Sequence, residues 1–81
     1  MTEDEARTAL LAALVEVAPE VDPDAIDPGR ELLAQVDLDS MDFLSFLDLV
    51  AESTGVEVPE ADYGRIATLR DAAAYVAAAA G

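Results

Sequence analysis

Apolar side chains fall at helical spacing in three stretches of the chain, and the spacing predicts three full helices. In the first, Ala6, Leu10, Leu14 and Val17 form the stripe, with Leu11 and Val15 beside it. Thr2 followed three residues later by Glu5 is a capping-box signature that sets its start, and Pro19 ends it. In the second, Phe43, Leu44, Leu47, Val50, Ala51 and Thr54 lie on one side, and Asp42, Ser45, Asp48 and Glu52 on the other. That helix is expected to run from Ser40, read as its N-cap, to Thr54, with Gly55 as the stop. In the third, Thr68 and Asp71 form a second capping box, and Leu69, Ala72, Tyr75, Val76 and Ala79 are expected to face inward. Pro59, at the first turn, opens a shorter helix through Glu60, Ala61, Asp62 and Tyr63, which Gly64 weakens. No strand alternation competes with this pattern. The expected fold class is all-α, a small four-helix bundle with a long first loop and a short third helix, with residues 1–81 as a single domain.

The connection from Pro19 to Asp39 is about twenty residues, long for a compact domain. Asp22-Pro23 and Asp27-Pro28-Gly29 are turn signals. Val21, Ile26, Leu32, Leu33 and Val36 give the loop apolar side chains with which it is expected to pack down.

Composition adds two constraints. Hydrophobic residues make up 53% of the chain, but many are alanine, so an 81-residue domain with no cysteine for a disulfide is expected to be marginally stable. Charge is the stronger property, at a formal −14, and from Glu31 to Gly64 there are nine acidic residues with no Lys or Arg. Nucleic acid and anionic membrane are poor partners for such a surface, and proteins with basic docking patches are good ones. A solvated acidic face kept for solubility is the plainer account of the same charges, and the two are compatible. No apolar run approaches the ~20 residues of a membrane span. The acidic start Met1-Thr2-Glu3-Asp4-Glu5 is not that of a secretory signal, so a cytoplasmic protein is expected.

Reactive chemistry is narrowed by what is missing. Without His, Cys or Lys there is no basis for serine-histidine triads, cysteine nucleophiles, Schiff-base lysines or zinc sites. Carboxylate pairs can do acid-base work in a cleft, but 18 acidic residues on a small helical surface form pairs by accident. Asp37-x-Asp39 begins like a calcium loop, yet Met41 stands at the third ligand position and Asp42 at the obligatory glycine, so no metal site is expected. The chain is not expected to be an enzyme, and no catalytic residue is assigned. What remains is Val36-Asp37-Leu38-Asp39-Ser40-Met41-Asp42-Phe43-Leu44, with one serine between two aspartates where a turn-rich segment becomes an apolar helix. In the plain account Ser40 only caps, worth about 1 kcal/mol. In the sharper one its hydroxyl is exposed at the positive end of a helix, where a phosphate diester is well received.

Asp39-Ser40-Met41-Asp42 leading into this helix resembles the 4′-phosphopantetheine attachment site of acyl carrier proteins, in which Asp-Ser-Leu is the common form. Aligned without a gap, the resemblance runs from about Leu32 to Val76. Val58-Pro59 is similar to the Ile-Pro before that family's short third helix, Ile66 and Thr68-Leu69 to the lead into its last helix, and Tyr75-Val76 to an aromatic-aliphatic pair near its end. The resemblance implies that a phosphopantetheinyl transferase moves the 4′-phosphopantetheine of coenzyme A onto Ser40. The arm's thiol then carries acyl groups as thioesters to partner enzymes of fatty-acid, polyketide or specialised lipid biosynthesis. It further implies docking of the transferase and of acyl-loading and acyl-processing enzymes through Asp39, Met41, Asp42 and Glu52 of a monomer. A cargo cavity between the second and third helices is implied as well, at Phe43, Phe46, Leu47, Tyr63 and Ile66.

Several positions depart from the family pattern. Asp37 replaces a glycine three residues before the serine, so the turn presenting Ser40 is expected to differ in detail. Ser45 stands at a commonly acidic site and Asp48 at a commonly exposed apolar one, which points to partners other than those of a standard fatty-acid synthase carrier. Phe43, Phe46 and Tyr63 replace smaller residues; the rings either compensate for the alanine-rich first and last helices or occlude the cavity. Two other readings stay open: a stand-alone aminoacyl carrier on the same arm, and an acidic helical interaction module that is never modified.

Self-repulsion limits stability, because no basic residue lies between Arg30 and Arg65. Added salt or divalent cations are expected to raise the thermal midpoint followed by circular dichroism; a midpoint that moves in neither shows the acids to be too far apart to matter.

Overall fold

The first helix, α1, spans Glu3–Val17 in a computed structural model that describes residues 1–81. Its start is the reciprocal box expected: Thr2 Oγ1 accepts from the Glu5 N–H at 3.1 Å, and Glu5 Oε1 accepts from the Thr2 N–H at 2.8 Å. The bond from the Thr2 backbone, then that with its hydroxyl, holds the Glu5 carboxyl below its ordinary range. Helix α1 buries Ala6, Leu10, Ala13 and Leu14 and packs against both α2 (Ser40–Thr54) and α3 (Leu69–Ala80). It is the element on which the other two converge.

Helix α2 buries Phe46, Leu47 and Val50, and α3 buries Leu69, Ala72, Ala73 and Val76. Two inward assignments fail. Leu44 is 51% exposed, because the apolar face of α2 is wider than the strip its neighbours cover, and that strip is centred on Phe46 and Val50. Ala79 is exposed with the rest of the last turn, and Ala73 takes an inner place instead. The second capping box is half made: Thr68 Oγ1 accepts from the Asp71 N–H at 3.0 Å, but the shorter Asp71 side chain returns no bond.

The long loop contains two single turns of 3₁₀ helix, Pro23–Ala25 and Leu32–Ala34. Leu32 and Val36 are buried, and Val21, Ile26 and Leu38 pack partly against the core, whereas Leu33 remains 46% exposed against expectation. Gln35 stands in for missing secondary structure. Its Oε1 accepts from the Asp27 N–H at 2.8 Å, and its Nε2 donates to the carbonyls of Asp27 at 2.9 Å and Arg30 at 3.3 Å. The loop is stitched to the start of α3 by Leu32 N–H to Ala67 O at 2.7 Å and Arg70 N–H to Pro28 O at 3.0 Å.

The short helix, Glu60–Ile66, is 3₁₀ throughout and longer than the sequence pattern gave. Pro59 is its N-cap rather than its first-turn residue, with the Asp62 N–H bonded to Pro59 O at 2.9 Å. It packs on α3. No strand forms; Glu31 and Thr68 make one isolated antiparallel bridge.

Two glycines separate backbone strain from chain entropy. Gly55 ends α2 at φ 74°, and a side chain there meets nothing within 4 Å. Gly55→Ala is therefore expected to cost about 1–2 kcal/mol by left-handed strain alone. Gly64 has equally open surroundings and no positive φ, so Gly64→Ala is expected to stabilise by about 0.4–1 kcal/mol. Urea unfolding of the two variants should move the midpoint in opposite directions.

Candidate functional site

The loop delivers the chain to α2 through Asp39, and Asp39 is the N-cap where Ser40 had been expected. Its backbone is extended (φ −79°, ψ 179°), and its Oδ1 accepts from the Asp42 N–H at 2.8 Å. Either residue of an Asp-Ser pair can cap, and the carboxylate also gains from the positive end of the helix. Ser40 becomes the first helical residue, exposed, with no hydrogen bond from its hydroxyl to the protein. Of the other two serines, Ser53 donates to Val50 O at 3.3 Å and Ser45 lies mid-helix.

These surroundings fit a phosphodiester on Ser40. The first-turn N–H groups of a helix have no intrahelical partner. That of Asp42 is taken by Asp39, and the Phe43 N–H bonds to Asp39 O at 3.0 Å, which leaves those of Ser40 and Met41 beside the free hydroxyl. The helix dipole adds only ~0.3–1 kcal/mol for an anion there. Asp37, Asp39 and Asp42 oppose it.

Around Ser40 the surface is acidic with apolar points. Asp39 and Glu52 are exposed, Asp42 is half-buried, and Met41 is 77% exposed. Met41, Ser45, Asp48 and Glu52 run down one solvent face of α2. Leu44, one turn from both Ser40 and Met41, and Leu33 on the loop enlarge the exposed apolar surface. The pattern of the chain had assigned both inward; the spacing of Leu44 from Met41 was the available signal for it.

The short helix packs on α3 rather than α2 and meets α2 through side chains. The Phe43 and Tyr63 rings touch edge to face at 5.4 Å and 85°, and Phe43 stacks on Phe46 at 6.2 Å. Two open depressions border Tyr63. One, about 390 Å³, is lined by Leu44, Leu47, Asp48, Ala51, Glu57, Val58, Pro59 and Tyr63. The other, about 320 Å³, is lined by Glu31, Leu32, Leu33, Phe43, Tyr63, Gly64, Ile66 and Ala67. Of the five residues assigned to a cavity, Leu47 borders the first, Phe43 and Ile66 the second, and Tyr63 both. Phe46 borders neither, being 2% exposed within the core.

On its other side the short helix is held by a polar clasp. Tyr75 Oη donates to Asp62 Oδ2 at 2.7 Å, and the Arg65 guanidinium lies 5.6 Å from the Tyr75 ring centre. The bond to Asp62 raises the Tyr75 hydroxyl above its ordinary range, with desolvation adding to it.

A family model described as a phosphopantetheine attachment site matches residues 8–76. The chain is also 32% identical over 57 residues to an acyl carrier protein of Lactobacillus acidophilus, across 70% of this chain and 71% of that one. The chain belongs to the acyl carrier protein family. An acyl carrier protein of Renibacterium salmoninarum is 27% identical over 73 residues (86% of this chain, 90% of the other). A meromycolate extension acyl carrier protein of Mycolicibacterium aurum is 24% identical over 66 residues (82% and 68%). No solved structure matches the chain significantly. This acyl carrier protein therefore bears a covalent 4′-phosphopantetheine and is a carrier, not an enzyme, served by a phosphopantetheinyl transferase and biosynthetic enzymes. None of its helices is long and apolar enough to cross a membrane.

The clasp has a pH signature. Since the folded pKa of Tyr75 is raised, its contribution is complete below the ordinary value of 10.0 and is lost as pH rises through the folded value. The thermal midpoint of the natural protein is expected to exceed that of Tyr75→Phe at neutral pH, with the gap closing in the alkaline range. A gap that is absent, or constant with pH, shows that the bond adds nothing.

Proposed function

We propose that this carrier takes its arm on Ser40 Oγ and presents acyl groups, as thioesters on the arm's thiol, to enzymes of a fatty-acid, polyketide or specialised lipid pathway. The observation that supports it best is the unengaged, exposed Ser40 hydroxyl at the start of α2, with Asp39 doing the capping. On modification the Ser40 Oγ–H bond breaks and an Oγ–P bond forms. The anhydride of coenzyme A opens, adenosine bisphosphate leaves, and the proton passes to the transferase or to water.

Selection of Ser40 rests on the surface read by the transferase, since the dipole is too weak to provide it. Asp39, Asp42 and Glu52 supply charge to pair with basic residues of partners, and Met41 supplies apolar contact. Leu44 extends that contact. The acidic surface also keeps copies of the chain apart, which supports action as a monomer. Kinship with a meromycolate extension carrier supports a lipid pathway, and the mass of the thioester-bound species isolated from the native cell would identify the cargo.

Incubation with coenzyme A and a broad-specificity transferase should raise the intact mass by one phosphopantetheine, and Ser40→Ala should abolish the gain while keeping the fold. A modified Ser40→Ala protein would sink the assignment. Because Asp39 is the cap, Asp39→Lys would disturb α2 as well as the charge. Asp39→Asn keeps a capping side chain and removes the charge alone. Asp39→Asn and Asp42→Lys are each expected to slow modification several-fold at low salt, the difference fading as salt screens beyond ~8 Å. Rates indifferent to both variants and to salt would place docking elsewhere.

A further inference from the structure

We propose that the Phe43–Tyr63 contact sets the length of acyl chain this carrier shelters. A short chain lies in the depression between the loop and the short helix, and a longer one projects into solvent. The inference rests on attachment of the arm at Ser40. Phe43 and Leu44 are three and four residues on from Ser40, one turn along α2, and they border the loop-side and the α2-side depression respectively. Inward, the ring packs against the core. Phe46 stacks on it, and with Leu14 and Val50 it is among the most fully buried side chains of the protein. Sideways, Tyr63 meets the ring edge to face at 5.4 Å and borders both depressions, while Phe43 borders only the loop-side one.

The partition is held from behind. Asp62, next to Tyr63 in the short helix, accepts the 2.7 Å bond from Tyr75 on α3, so moving Tyr63 away from Phe43 works against the clasp. The chemistry of the two depressions chooses between them. The α2-side one carries the carboxylates of Asp48 and Glu57, whereas the loop-side one carries only that of Glu31 among Leu32, Leu33, Ile66 and Ala67. Methylene groups leave water more favourably for the second.

The test loads the modified protein with straight acyl chains of increasing length and follows methyl NMR shifts. In the natural protein, shifts at Leu33, Ile66 and Ala67 should appear with short chains and then stop growing, with Val58 and Leu47 unmoved. Tyr63→Ala joins the depressions, so its shifts should keep growing with chain length and spread to Val58. Phe43→Leu, which keeps apolar bulk while removing the edge contact, should do the same and guards against misfolding of the first variant. Shifts in the natural protein that grow through long chains, begin at Val58, or never appear would overturn the proposal, as would variants that behave like it. Failure of the Ser40 reading shows itself earlier and separately, as absence of the mass gain before any chain is loaded.

Discussion

Burial of α1 on two sides at once is the constraint under which the rest of the bundle is arranged. Ala6, Leu10, Ala13 and Leu14 of α1 belong to a single core of fifteen buried residues that α2 and α3 complete. No polar or charged residue is buried. The core therefore carries no desolvation cost for ionised groups, and the whole of the electrostatic repulsion is met at the surface, where water and salt moderate it.

Within that frame a division of labour between neighbours makes the candidate site. One carboxylate at position 39 satisfies the helix start, and the hydroxyl at position 40 is left without structural duty. Had Ser40 capped, its oxygen would accept an N–H and turn partly into the helix end, and modification would compete with folding of α2. With Asp39 in that place, the Asp42 N–H bond does not involve the Ser40 hydroxyl, and a substituent on it would not have to break that bond.

What could be read from the chain was what neighbouring residues decide among themselves. The three long helices, the Thr2–Glu5 box and the left-handed stop at Gly55 each depend on a few consecutive positions. The Asp39-Ser40 pair was legible as a helix start, though not which of the two would cap, because both residue types are favoured there. Leu33, Leu44 and Ala79 were misplaced because exposure depends on how wide a strip the neighbouring elements cover. The Gln35 network and the Asp62–Tyr75 bond join residues 8 and 13 apart, a polar pairing for which periodicity carries no signal. The bulk of Phe43 and Tyr63 was visible; their contact depended on the short helix settling against α3.

Alanine in the core has a thermal consequence. Five of the sixteen buried residues are alanines, each burying far less apolar surface than a leucine or phenylalanine in its place. Apolar exposure dominates the heat-capacity increment of unfolding, so this chain's increment is expected to be small for its length, and the curve of folding free energy against temperature correspondingly shallow. Cooling yields little and moderate warming removes little. A carrier so built is expected to keep a folding free energy that varies little with temperature.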